Sequence, residues 1–127
     1  MSRPGRSGHV ARRRGRCGER VASRWLRRRG YRVIGRNLRI ARQEIDLLVE
    51  SPDGGQVVIV EVKSGRSPIR EIAHRVHAGQ MVRLQRAADM IHRKGFAAGR
   101  SIRIDVMHVR LGFPCRHEIR HLRGEST

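Results

Sequence analysis

Asp46, Glu61 and Lys63 are charged side chains placed inside the two most apolar segments of the chain, EIDLLVE and VVIVEVK. The chain carries only 11 acids in 127 residues, so solubility gives no reason to spend two of them there. An ionised carboxylate taken out of water is costly unless a cation or hydrogen-bond donors meet it. Residues two apart on a strand point the same way, so Glu61 and Lys63 stand side by side on one face. The intervening SPDGGQ, with Asp-Gly at its centre, reads as a turn. A hairpin closed by that turn brings Asp46 to the strand beside Glu61. Two converging carboxylates suit a hard divalent cation such as Mg²⁺, completed by waters, phosphate oxygens and the Val62 carbonyl. A cation held there polarises a phosphodiester and acidifies a bound water, while Lys63 orients that water or offsets charge on the phosphate. Spacing alone admits a second reading, in which Glu61 and Lys63 form a strand-end salt bridge and Asp46 pairs with a nearby arginine.

The elements that must position these residues follow from periodicity. Val21, Ala22, Trp25 and Leu26 fall on one helical stripe that Gly30 closes as a C-terminal cap. A short strand over YRVIGRNL, residues 31–38, comes next. In EIDLLVE the alternation places Glu44, Asp46, Leu48 and Glu50 on one face and Ile45, Leu47 and Val49 on the other. VVIVEVK is apolar on both faces, which predicts a strand in the middle of a covered sheet. SGRSPIREIAHRVHAG shows little pattern and reads as a loop. Met81, Leu84, Ala88 and Ile91 then recur at spacings of three and four, predicting a helix over 79–93. SIRIDVMHVRL alternates as a strand, and HEIRHL follows as a final one. Helix, three strands, helix and one or two strands predict an α/β fold whose sheet is flanked by helices.

The charge is lopsided, with 29 Lys+Arg against 11 Asp+Glu and a formal net charge of +18. Only Lys63 and Lys94 are lysines; the rest are arginines, which grip phosphate with two prongs. Such a balance predicts a polyanionic partner, with nucleic acid foremost. Trp25, Tyr31, Phe96 and Phe113 are the only aromatics, too few for base-stacking platforms, so contact with the phosphate backbone fits better. Residues 1–16 hold six arginines and no acid and are expected to be a basic arm without a fold. Arg24, Arg27, Arg28 and Arg29 make the densest basic patch of the remainder. The alternative for that patch is a solvated helix face. No segment approaches the roughly 20 apolar residues of a membrane span, and Cys17 and Cys115 form no disulfide framework. A cytoplasmic protein without a membrane partner is expected.

The run GERVASRWLRRRGYRVIGRNLR, followed by EIDLLVE, VVIVEVKSGRS and IRIDVMHV, resembles the YraN-like family of small bacterial proteins. That family is similar to Holliday-junction resolvases and other PD-(D/E)xK nucleases. The resemblance runs from about Gly15 to Val109 and implies a restriction-endonuclease-like core, a mixed central sheet flanked by α-helices. Residues 17–122 would form that domain and 123–127 a loose tail. Carried over, Asp46 matches the metal-binding aspartate, Glu61 the second acid and Lys63 the lysine of the motif. Glu19 matches an acid that resolvase-like members add to the metal site; a glutamate near a helix N-terminus is also favoured by the dipole alone. Arg36, Asn37 and Arg39 match the R-N-x-R block, expected to contact substrate or to brace the hairpin. Asp105 matches the later D-V and is expected in a structural ion pair. The chain departs from the family at Gln43, where glycine is usual, and at Gln80, where lysine is common. The Phe-Gly loop usual before the second long helix is not found in SPIREIAHRV.

These readings lead to a metal-dependent endonuclease-like protein, using Mg²⁺ or Mn²⁺, that acts on nucleic acid. DNA is the expected substrate, and branched DNA is favoured by the resemblance only. Resolvase-like relatives act as dimers, which extends the expectation to a homodimer. The alternative is a non-catalytic nucleic-acid-binding protein that keeps the fold, and a weaker one is a basic accessory of an RNA–protein assembly. Cys115, His117 and His121 were the only grouping suggestive of zinc, and strand geometry splays them. His74 and His77 lie in the loop before the long helix, where solvation explains them as well as approach to a phosphate.

Overall fold

The computed structural model describes residues 6–73, 78–114 and 116–124, with side chains from residue 16 onward except at residue 78. In chain order the elements are α1 (Arg6–Arg28), β1 (Arg32–Ile40), β2 (Gln43–Glu50), β3 (Gln56–Gly65), α2 (Ile69–Ala73), α3 (Ala78–Arg93), β4 (Ser101–Arg110) and β5 (Glu118–Leu122). The strands form one mixed sheet in the order β1-β2-β3-β4-β5, with β3 and β4 parallel and every other pair antiparallel. β3 is central, as its two apolar faces predict. The architecture is the restriction-endonuclease-like α/β class.

Two layers of apolar contact hold the sheet. On one face Ala22 and Leu26 of α1 pack with Leu47, Val49, Val58, Val60, Met107 and Val109. On the other, Leu84, Ala87, Ala88 and Ile91 of α3 pack with Ile45, Leu48, Val57, Ile59, Ile102 and Ile104. α2 lies against β3 and β4. Burying a Leu, Ile or Val side chain is worth about 1.5–3 kcal/mol, so these two layers are the main source of stability. Among the described residues, no helix is long and apolar enough to cross a membrane.

The structure corrects several sequence expectations. α1 begins at Arg6, inside the segment read as an arm without a fold, and arginine and alanine are both good helix formers. Residues 1–5 of that arm lie outside the described residues. The loop expected after β3 contains the short α2, which opens beside Pro68: its carbonyl accepts the amides of Glu71 and Ile72. β1 runs on to Ile40 and joins β2 through Ala41 and Arg42, both at positive φ (51° and 63°). That is the geometry of a tight two-residue hairpin, made without the Asn-Gly or Asp-Gly that announces one. Gly124, in the expected loose tail, is tied down by its amide, which donates to Asp105 Oδ1 at 3.0 Å. Residues 125–127 lie outside the described residues.

Candidate active site

β2 and β3 pair from Glu50↔Val57 to Leu47↔Val60, and there the ladder ends. The next pair would set Asp46 opposite Glu61. Instead the Asp46 side chain takes over the ladder's role, its Oδ2 accepting the Val62 amide at 2.8 Å. β2 stays with β1 through Leu38↔Ile45, Arg39↔Glu44 and Ile40↔Gln43, so the two central strands part and leave a cleft. The alternation expected for EIDLLVE breaks at this point. Ile45 joins Leu48 on the α3 side, while Leu47 and Val49 face α1. Asn37, between the pairs Arg36↔Leu47 and Leu38↔Ile45, sits at φ 49°, a conformation that asparagine accepts more readily than most residues.

The cleft encloses about 210 Å³ and is lined by Gln43, Glu44, Asp46, Glu61, Gln80, Arg83 and Leu84. Glu61 is 7 % exposed. Its Oε1 lies 3.1 Å from Lys63 Nζ and accepts a short hydrogen bond from the Gln80 side-chain amide. The Asp46 and Glu61 carboxyls are close enough to shift each other's ionisation. Burial, and then the Asp46 charge, pushes Glu61 up to about 7, against the opposing pull of Lys63. Burial also raises Asp46, which the Val62 amide, Glu61 and Lys63 only partly reverse. Both carboxyls are raised because burial outweighs the donors that meet them.

Glu19 reaches the same place from α1. The helix crosses the end of β3 so closely that a Cβ on Gly18 would stand 2.4 Å from Ser64 Cβ and Oγ. Glycine at 18 is what permits the crossing. Burial and then the Asp46 charge raise the Glu19 carboxyl, which hydrogen-bonds the Asn37 side chain and Asp46. Glu19, Asp46 and Glu61 thus form a chain of carboxyl groups. Among the described residues, no three His, Cys, Asp or Glu side chains stand together at ligand spacing. Asp46 and Glu61 are turned instead to the Val62 amide, Lys63 and Gln80.

Asp46, Glu61 and Lys63 therefore lie together at the end of the β2–β3 ladder, with Glu19 near Asp46. Of the R-N-x-R block, Arg36 braces the fold, its Nη2 donating to Ser23 Oγ of α1 at 3.1 Å, and Asn37 faces Glu19. Arg39 is exposed on β1 opposite Glu44. Arg24 and Arg28 line a different groove, between α1 and β5. Sequence reasoning missed Glu44 and Arg83 as lining residues and gave Gln43 and Gln80 no role beyond departures from the family. Gln80 and Arg83 are three apart at the start of a helix, a spacing that puts both on one face.

Asp105 forms the structural ion pair expected of it, fully buried on β4. Arg103 grips it from Nε and Nη2 at 2.8 and 2.9 Å, and His121 Nε2 stands 2.6 Å from its Oδ2. His117 Nδ1 accepts the Gly112 amide at 3.2 Å. The two histidines weighed for zinc thus serve different partners, and Cys115 lies outside the described residues, as do His74 and His77. His108 is a further buried side chain, 2 % exposed, paired in register with Lys63; among the described residues neither ring nitrogen has a hydrogen-bond partner.

Comparison with known proteins places the chain in a family. The model of the Uncharacterised protein family UPF0102, which is the YraN-like family, matches residues 18–109. A UPF0102 protein of Caulobacter vibrioides is 38 % identical over 112 residues, covering 87 % of this chain and 86 % of its own. One of Rhizorhabdus wittichii is 35 % identical over 101 residues, 80 % of this chain and 83 % of its own. One of a Mycobacterium species is 36 % identical over 116 residues, 87 % of this chain and 82 % of its own.

Proposed function

For a chain that belongs to the UPF0102, or YraN-like, family, we propose a metal-dependent endonuclease-like function on nucleic acid, with DNA the substrate. The observation that carries this reading is the placing of Asp46 and the buried Glu61 in one cleft where β2 and β3 part, beside Lys63, in a chain of net charge +18. A fold gains nothing from crowding carboxyls into a cleft whose burial opposes their charge. A cation and a phosphate give them a purpose.

The donor set is all oxygen, which fits Mg²⁺ or Mn²⁺ rather than a softer metal. Asp46 and Glu61 would hold the ion, with Glu19 assisting. When bound it supplies charge neutralisation at the phosphodiester and a more acidic water. The chain's own residues do the rest. The Val62 amide fixes Asp46, and Gln80 and Lys63 fix Glu61. Lys63 then offers its ammonium to charge developing on the phosphate. Arg83, on the cleft wall beside Gln80, supplies a second cation for the same phosphate. The Glu61 carboxyl, pushed up to about 7, would give up its proton to solvent on holding a cation.

The test is cleavage of labelled junction, flap, duplex and single-stranded DNA and of RNA, each with Mg²⁺, Mn²⁺ or EDTA. Wild type is run beside Asp46→Asn and Lys63→Ala. Cleavage that needs metal and falls at least about a hundredfold in both variants, with binding retained, is the expected result. Binding without cleavage across the panel would overturn the catalytic reading in favour of a nuclease fold used as a binder.

A further inference from the structure

The groove between α1 and β5 encloses about 420 Å³, twice the cleft volume, and shares no residue with the cleft. Val21 and Ile119 give it an apolar floor, and Trp25 forms one wall. Arg24, Arg28, Arg29 and His117 supply every polar group on its rim that carries or can take a charge. No acid lines it, and among the described residues neither Arg24 nor Arg28 meets a carboxylate. Its core contacts are on the α1 side of the sheet, whereas Leu84 of the cleft belongs to the α3 side.

From this we infer that the groove is a second nucleic-acid site, holding the phosphodiester backbone of a duplex away from the acid cleft. Charge supports an anion: clustered guanidinium groups repel unless an anionic partner sits between them. The state of Trp25 decides between backbone and bases. One ring face is covered by the Arg29 guanidinium at 3.5 Å from the centroid, and His121 stacks on the ring in a T-shape with centroids 5.4 Å apart. Arg29 also donates to the Trp25 carbonyl at 3.4 Å, which fixes that cover. The covered face is closed to a stacking base, which leaves guanidinium–phosphate contacts as the recognition chemistry. Binding here requires no metal and no cleavage.

Trp25 is the single tryptophan of the chain, so its emission reports on this groove alone. The experiment titrates the full chain with duplex DNA in EDTA, following both Trp25 emission and the anisotropy of a labelled duplex. Arg24→Glu with Arg28→Glu is compared with Arg86→Glu with Arg93→Glu, an equal charge change on exposed residues of α3. The expected result is a saturable emission change in wild type and in the α3 variant. In the α1 variant the emission response is lost, affinity falls about tenfold or more, and the salt slope is shallower by about two. An emission unchanged at saturation in wild type overturns the inference, because it places the DNA elsewhere. Equal losses in both double variants also overturn it, because they reduce the effect to overall charge.

Discussion

Glu61 on β3 and Asp105 on β4 lie on adjacent strands, Asp105 in register with Val60, and both are shut away from water. They are nonetheless treated in opposite ways. Burial pushes Asp105 up, but His121, Arg103 and the Gly124 amide more than reverse this and hold it below the usual carboxylate range. Arg103 is itself anchored to Tyr31 Oη at 2.9 Å and Gln56 Oε1 at 3.0 Å, so the donors are fixed before the acid arrives. Glu61 has one ammonium, one neutral amide and another acid as neighbours, and it is left raised. The difference teaches how to tell an acid held for structure from one left available for a ligand. Donor supply decides it, since burial alone is common to both.

The largest effect that would break the comparison belongs to Asp105. Replacing it by alanine leaves the Arg103 charge buried without its partner and is expected to cost about 3–5 kcal/mol, read by urea unfolding. A loss under about 1 kcal/mol would make Asp105 no more structural than Glu61. Next is Gly18→Ala, which drives a methyl group into Ser64 and should cost about 1–3 kcal/mol. It should also weaken any metal-dependent activity, because α1 must shift and carry Glu19 with it.

Glu61→Gln sharpens the contrast through pH. The folded carboxyl titrates at about 7, above its ordinary 4.5, so between those values the native state holds more protons than the unfolded chain. Stability therefore falls as pH rises through that window. In EDTA the variant should gain about 1–2 kcal/mol over wild type above pH 7, and the gain should vanish below about pH 4.5. For Asp105 the sign is reversed: its stability is present above the unfolded value of 3.8 and lost as pH falls through the lower folded one. A pH-independent difference between Glu61→Gln and wild type would remove the basis for the contrast. The smallest effect concerns the β1–β2 hairpin. Ala41→Asn with Arg42→Gly suits the two positive φ angles and should add about 1 kcal/mol in thermal unfolding.

Much of this was legible in the sequence, and the reason differs from element to element. β3 announced itself because both its faces are apolar, and α3 because Leu84, Ala88 and Ile91 keep a helical period. Asp46, Glu61 and Lys63 stood out because acids are scarce and a strand's two-residue repeat sets Glu61 beside Lys63. The twist at Asp46 was not legible. It depends on Asn37 adopting a left-handed conformation on the neighbouring strand, which no local pattern in EIDLLVE records. The hairpin at Ala41–Arg42 was hidden because neither residue favours positive φ. Arg103 alternates within SIRIDVMHV like any exposed arginine, and only its partners Tyr31 and Gln56, far away in the chain, explain its burial. Arg83 is exposed, off the buried stripe of Leu84, Ala88 and Ile91. That it borders the cleft depends on where β2 and β3 separate.

The most direct test of the acid cleft is calorimetric titration of Mn²⁺ into the full chain near pH 7, in buffers of different ionisation enthalpy. Wild type is measured beside Asp46→Asn and Glu61→Gln. The expected result is saturable binding in wild type with release of part of a proton from the Asp46–Glu61 pair, and loss of both signals in the two variants. Absence of binding, or binding of equal strength in all three proteins, would contradict the assignment of Asp46 and Glu61 as the metal site.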